Sequence, residues 1–162
     1  MKYLIVFICF EVLVPAQQAN RISSWLSVHD TTQGVLVGNN TLPGPHQLQL
    51  PYAPGFLLFT TQGFQGQPCA VYGTQQVPLP GLIPTPSGMI DIEYWSAAPV
   101  WQAVLGGGAC SPCTVPANIS TQVVPIPHGP AGSFSLSLQA VFGDPTSPNG
   151  YSLSSALWIF RP

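Results

Sequence analysis

The chain has 162 residues, of which 46% are hydrophobic and only 5% are charged, a composition that excludes disorder and supports one domain with its own core. Three Lys and Arg residues against five Asp and Glu residues provide no basic surface, so nucleic acid and anionic lipid are excluded as partners. Nineteen prolines and sixteen glycines without a collagen period exclude long helices, and an all-β fold is expected.

The first nineteen residues have the three-part layout of a secretory signal peptide. Lys2 precedes an apolar stretch from Tyr3 to Val14, and small residues follow it up to Ala16 or Ala19. The apolar stretch is too short to span a bilayer. We therefore expect cleavage after Ala16 or Ala19 and a single secreted or cell-surface domain at 20–162, without a membrane span in the mature form. The alternative is that the stretch is retained as a first strand.

The remaining chain alternates short apolar runs with clusters of Gly, Pro and Asn. Four prolines in residues 77–88 predict an extended surface connection that joins no sheet. Strands are predicted for the apolar runs at 34–38, 46–50, 55–62, 70–72, 89–95, 100–106 and 119–127.

The C-terminal thirty residues show the clearest strand pattern. Apolar side chains occupy every second position from Phe134 to Phe142, with Ser and Gln between them. A second run, 151–160, places Leu153, Leu157 and Ile159 on one parity, and the turn-forming sequence GDPTSPNG separates the two runs. These runs predict a long antiparallel hairpin. With the other runs they predict an antiparallel β-sandwich of seven to nine short strands.

This closing segment resembles that of small β-sandwich modules in secreted bacterial proteins of unknown function. In those modules a strand ending in Gln-Ala is followed by an Asp-Pro turn, a Gly and a Leu-Ser-Asn-Ala-Leu strand. The matching residues here are Gln139-Ala140, Asp144-Pro145, Gly150 and 153–157, with Ser155 in place of Asn. The resemblance implies an extracellular β-sandwich and no particular activity.

The cysteines predict a disulfide. Cys69, Cys110 and Cys113 remain after signal cleavage. In the oxidising environment outside the cell, such thiols usually form disulfides. Two pairings are open: Cys69 with Cys110 or Cys113, which contributes about 4 kcal/mol in the chain-entropy model, or a tight Cys110–Cys113 bridge. A redox role or a zinc site has less support, because the Cys-x-x-Cys pair lacks a helical setting and a second pair.

Asp91, Glu93 and Trp95 form the sharpest candidate binding site. If residues 89–95 are a strand, these three share one face while Ile90, Ile92 and Tyr94 point inward. Carboxylates about 7 Å apart beside an aromatic ring suit a sugar or a calcium ion. The alternative is a solvated face with a Trp over the sheet edge.

Trp158 and Phe160 form a second candidate surface. Residues 157–160 are apolar on both parities, so either both faces of the strand are covered or Trp158 and Phe160 meet a neighbour. Burial is the expected outcome.

The expected role is a non-catalytic structural or interaction module. The partner is a surface glycan or another extracellular protein domain, and no cofactor or metal is expected. A carbohydrate- or calcium-binding module using Asp91, Glu93 and Trp95 is the alternative, and an extracellular hydrolase comes third. The sequence contains no Gly-x-Ser-x-Gly motif, and adjacent His29 and Asp30 would point apart in a strand.

Overall fold

A computed structural model describes residues 24–38, 44–79, 83–106, 118–126, 128–130 and 132–162. These residues form strands and turns, and none of them belongs to a helix long and apolar enough to cross a membrane. The predicted signal peptide at 1–19 lies outside the described residues. The twelve strands are β1 Trp25–Asp30, β2 Val35–Val37, β3 His46–Gln49, β4 Gly55–Gln62, β5 Pro68–Thr74, β6 Ile83–Thr85, β7 Gly88–Ile90, β8 Ala98–Val104, β9 Ile119–Ile126, β10 Ser135–Gly143, β11 Tyr151–Leu153 and β12 Leu157–Phe160.

Two sheets face each other, which confirms the predicted all-β sandwich. One has four strands in the order β2-β1-β4-β9, and the other has the order β3-β12-β10-β5-β8 with β11 also paired to β10. All pairs are antiparallel except β3 with β12, which run parallel. Among the described residues the strand number exceeds the predicted seven to nine, because several elements are only three residues long.

The core lies between the two sheets. Each central strand turns alternate side chains inward, as the period-2 patterns predict. Phe59 of β4 meets Trp101 of β8 across the interior with ring centroids 5.5 Å apart. The buried members that join the sheets are Leu26, Val28, Leu57, Phe59, Val71, Leu138, Ala140, Phe142, Leu157 and Ile159.

β1 has no counterpart among the predicted strands. Its inward positions are Leu26, Val28 and Asp30, and a carboxylate at a core position disrupts the apolar alternation. Asp30 is fully buried, and its oxygens accept hydrogen bonds from the Thr32 amide (2.8 Å) and from the Gln33 side chain (2.7 Å). These bonds offset the loss of hydration, so the Asp30 carboxylate can be buried at an inward position of β1.

The C-terminal hairpin is confirmed, with one difference. β10 pairs with β11 and β12, but Ser154–Ala156 leave the ladder between them, so the second run is not continuous. In the turn, the Asp144 carboxylate accepts from the amide and the hydroxyl of Thr146, at 2.9 and 2.6 Å. Gly150 closes the turn at φ +75°, a conformation that a side chain would strain.

The proline-rich segment forms a third, small layer. The prediction that residues 77–88 join no sheet is wrong, because β6 pairs with β7 in a two-stranded hairpin. Residues 76–79 and 83–92 lie over the outer face of β10, where the Ser137 hydroxyl donates to the Gln76 carbonyl. Ser137 and Gln139, the polar positions of the alternation, are therefore buried and not solvated.

Candidate ligand-binding cavity

The segment after β7 turns instead of extending. The prediction of a strand over 89–95 is wrong, because β7 ends at Ile90. The Asp91 amide donates to Oε1 of Gln139 (3.1 Å) and not to a neighbouring strand. The Ser96 amide donates to the Glu93 carbonyl (3.2 Å), which closes a turn. The alternation of apolar and polar residues in this segment therefore arises from packing against β10 and does not indicate a strand.

Asp91, Glu93 and Trp95 consequently share no strand face. Asp91 is only 2% exposed, where the third layer meets β10. The Glu93 carboxylate accepts from the Ser96 hydroxyl at 2.6 Å. Trp95 is 61% exposed and lies edge-on to Tyr94, with centroids 5.0 Å apart. Across the described residues, no three His, Cys, Asp or Glu side chains group together so that they could hold a metal ion.

A cavity of about 350 Å³ opens on the outer face of the six-stranded sheet, beside this turn. We call it the tyrosine cavity. Its floor is formed by β5, β10 and β11, and one wall is formed by β7 and the turn after it. Its lining residues are Tyr72, Ile90, Ile92, Tyr94, Ala97, Gln139, Val141, Tyr151 and Leu153.

Strand register brings the floor residues together. Gln139 of β10 lies opposite Tyr72 of β5, and Val141 lies opposite Leu153 of β11. Gly143 lies opposite Tyr151, so this tyrosine stands at the end of the same face. Because alternate residues of neighbouring strands share a face, three strands place their side chains in one patch.

Hydrogen bonds fix the wall of the cavity. Nε2 of Gln139 donates to the Met89 carbonyl (2.6 Å) and to the Ser154 carbonyl (2.8 Å). Ser96 in the turn contacts the Thr74 hydroxyl at 2.9 Å, which joins the turn to β5. These bonds hold Tyr94 at the mouth of the cavity, where it is 55% exposed.

The lining is aromatic and aliphatic and carries no charged side chain. Its amide, on Gln139, already donates and accepts within the fold. The polar groups left for a ligand are phenol hydroxyls. Such a lining binds uncharged groups through apolar and aromatic contact, with few directed hydrogen bonds.

A second depression, of about 680 Å³, continues along the same sheet face. It shares Val141 and Tyr151 with the tyrosine cavity and extends over Ala70, Gln102 and Val104. The two spaces together follow β5 and β10, so a ligand longer than one ring has room beside the cavity.

The cysteine predictions have different outcomes. Cys69 lies on the inner face of β5, only 5% exposed, and is a free thiol whose sulfur contacts the Thr61 hydroxyl at 3.6 Å. The predicted disulfide from Cys69 is therefore not present, because this side chain points between the sheets. Cys110 and Cys113 lie outside the described residues, and a bridge between them stays a prediction.

Trp158 and Phe160 stand on the outer face of β12, while Leu157 and Ile159 fill the core. The two rings stack with centroids 4.2 Å apart, and both are half-buried. The Trp158 indole donates to the Ser135 hydroxyl at 3.2 Å. The two rings therefore cover part of each other, and Ser135 links Trp158 to β10.

The sequence predicted no cavity here. Ile90, Ile92 and Tyr94, predicted to point into the core from one strand, instead lie in β7 and the turn after it and line the cavity, with Tyr94 55% exposed. No sequence pattern predicted that Tyr72 and Tyr151 lie in one site, because their proximity arises from the pairing of β5, β10 and β11. No local pattern encodes that pairing.

No family model and no curated protein matches this chain. The tyrosine cavity is therefore interpreted from its own geometry.

Proposed function

We propose that this chain is a non-catalytic, secreted or cell-surface β-sandwich module that binds an uncharged ligand in the tyrosine cavity. The observation that carries the proposal is the cavity itself, about 350 Å³ with Tyr72, Tyr94 and Tyr151 in its lining. Ligand sites commonly have volumes of about 300–1,000 Å³ and mainly apolar, aromatic walls. The role extends the interaction module expected from the sequence.

The chemistry of the lining defines the ligand class. Without a charged residue in the wall, an ion entering the cavity would lose hydration and gain no partner. Tyrosine rings instead favour a ring with an apolar face, and their hydroxyls suit a ligand with neutral polar groups. A sugar ring and a planar aromatic compound both meet this description.

The lining also favours binding over catalysis. The described residues that line the cavity include no carboxylate, imidazole or thiol. General acid–base and nucleophilic catalysis rest mostly on such groups. The carbohydrate-binding alternative is kept, with the tyrosines in place of Asp91, Glu93 and Trp95.

An extracellular location is part of the same proposal. The signal-like layout of residues 1–19 supports it, and so does the resemblance of 138–157 to secreted bacterial modules. Mass spectrometry of protein secreted by a bacterial host tests it. We expect a mature chain beginning at Gln17 or Asn20, and a chain that keeps Met1 would contradict the proposal.

A neutral fluorescent probe tests ligand binding. N-phenyl-1-naphthylamine is uncharged and brightens in apolar sites, so we expect saturable binding to the wild type. Tyr94→Ala removes one aromatic wall and should weaken binding about tenfold, the equivalent of about 1.4 kcal/mol. Ala97→Trp should fill the cavity and abolish the signal without unfolding the protein.

Tyr52→Ala is the matched control, because Tyr52 is 52% exposed and lies outside the cavity lining. Its probe affinity should equal that of the wild type. Displacement of the probe by a cello-oligosaccharide or by indole then shows whether the cavity prefers a sugar ring or a planar aromatic compound. Equal binding by wild type and Ala97→Trp would overturn the assignment.

A further inference from the structure

β9 is a long edge strand of the four-stranded sheet. Its eight residues, Ile119–Ile126, pair along their whole length with β4. Within the described part of the chain, no strand pairs with the opposite edge of β9. A row of backbone N–H and C=O groups on this edge is therefore available to a further strand.

The phase of the hydrogen bonds identifies those groups. The Gly63 amide donates to the Asn118 carbonyl at 3.1 Å, which extends the β4–β9 ladder by one pair. In an antiparallel ladder, residues alternate between bonding to the partner and facing away from it. The even-numbered residues of β9 therefore bond to β4, while Ile119, Thr121, Val123 and Pro125 face away.

The other edge of β4 gives the same phase independently. The Thr31 amide donates to the Phe56 carbonyl at 3.1 Å, so even-numbered β4 residues bond towards β1 and odd-numbered ones towards β9. Odd β4 residues lie opposite even β9 residues in the register. Pro125, which has no N–H, thus falls at an outward position and removes no bond to β4.

We propose that β9 pairs in antiparallel fashion with β9 of a second copy of this chain, with the two-fold axis at Gln122. In this register Thr121 lies opposite Val123 of the second copy, and Ile119 lies opposite Pro125. Ile119, Thr121 and Val123 of each copy donate their outward amides, and the carbonyl of Pro125 accepts. Pro125 has no N–H to donate. Every other outward-facing N–H group of β9 finds a carbonyl partner in this register.

The side chains of the edge favour a copy of itself as the partner. Neither β9 nor β4 contains a charged residue, so self-pairing meets no like-charge repulsion. Natural edge strands that avoid pairing carry lysine or other charges, prolines or bulges, and of the charges and prolines β9 has only Pro125, near its end. Val123, 63% exposed, would pack beside Thr121 of the second copy on the outer face.

Sedimentation velocity of the secreted, mature chain over a range of protein concentrations tests the proposal. The wild type should show a reversible monomer–dimer equilibrium. Val123→Lys places like charges near the axis, and Thr121→Pro removes an outward donor while every β4 bond remains. Each should weaken dimerisation at least about tenfold. Circular dichroism establishes that both variants are folded.

Leu36→Lys is the matched control, because Leu36 is 68% exposed on β2, at the opposite edge of the same sheet. Its dimer affinity should stay within about twofold of the wild type. Amide exchange adds a local readout: the Thr121 and Val123 amides should gain protection as concentration rises. A monomer at every concentration, or a dimer unaffected by Val123→Lys and Thr121→Pro, would overturn the proposal. Protection of these amides only by an added extended peptide would do the same.

Discussion

Buried hydroxyl and amide groups form many of the stabilising side-chain hydrogen bonds in this chain, which has few charged residues. Two adjacent serines, Ser154 and Ser155, are 2% and 4% exposed and differ in their bonding. The Ser154 hydroxyl accepts from the Ala140 amide and donates to the Ser155 carbonyl, both at 2.9 Å. The Ser155 hydroxyl is buried without a hydrogen-bond partner among the described residues.

These serines give a matched pair of substitutions. Ser154→Ala should lower the free energy of unfolding by about 1–3 kcal/mol, because it leaves the Ala140 amide unsatisfied in the interior. Ser155→Ala removes a hydroxyl for which the described residues provide no partner, and it should change stability by less than about 0.5 kcal/mol or increase it. Urea denaturation of both variants measures the difference, and equal losses would contradict the bonding described.

Cys69 should be unreactive in the folded protein. Burial raises the pKa of its thiol, against smaller lowering effects of the Thr61 hydroxyl and the Ala103 backbone. Iodoacetamide at pH 8 should therefore modify Cys69 at least about 100-fold more slowly in buffer than in denaturant. Mass spectrometry of the Cys69 peptide checks this, and rapid native labelling would contradict it.

The raised pKa of Cys69 also determines how the free energy of unfolding changes with pH. The folded protein keeps the Cys69 proton at pH values where the unfolded thiol has lost it. The contribution to stability is thus intact below the ordinary thiol pKa of about 8.5 and declines as pH rises above it. Cys69→Ala should remove this part of the alkaline decline in unfolding free energy.

At the scale of elements, the attachment of the third layer to β10 differs most from the sequence prediction. The alternating Ser and Gln positions of β10 indicated a solvated face, yet Gln139 is 3% exposed under β7 and the turn after it. Its side chain bonds the backbone of Met89, Asp91 and Ser154. A polar residue in a strand predicts polar surroundings, which here are backbone groups and not water.

Gln139→Leu should therefore detach the third layer. Three backbone groups lose a partner, and we expect a loss of about 3 kcal/mol in the free energy of unfolding. The Asp91 amide should exchange faster with solvent, which locates the loss. Gln102→Leu, at an exposed position of β8 on the same sheet face, is the control and should be nearly neutral. Similar losses in both variants would show that Gln139 has no special role.

For the whole molecule, alternation was sufficient to predict the class of fold. The runs at 55–62 and 134–142 predicted the inner faces of both sheets, because burial of one side chain in two is a local property. Three features could not be predicted: β1 with its inward Asp30, the parallel pairing of β3 with β12, and the β6–β7 hairpin. The β3–β12 pairing and the tyrosine cavity depend on strands distant in sequence, which no local pattern encodes. Asp30 and the β6–β7 hairpin have local partners, but an inward carboxylate and a proline-rich run both depart from the composition that predicts strands.

The central claim is that the tyrosine cavity binds an uncharged ring. The most direct test is NMR titration of ¹⁵N-labelled protein with two neutral compounds, methyl β-glucoside and indole, observing backbone amide shifts. The account predicts that at least one compound shifts the amides of Tyr72, Tyr94 and Tyr151 in a saturable way and leaves Tyr52 unchanged. Saturable shifts confined to other surfaces, or none with either compound, would contradict it.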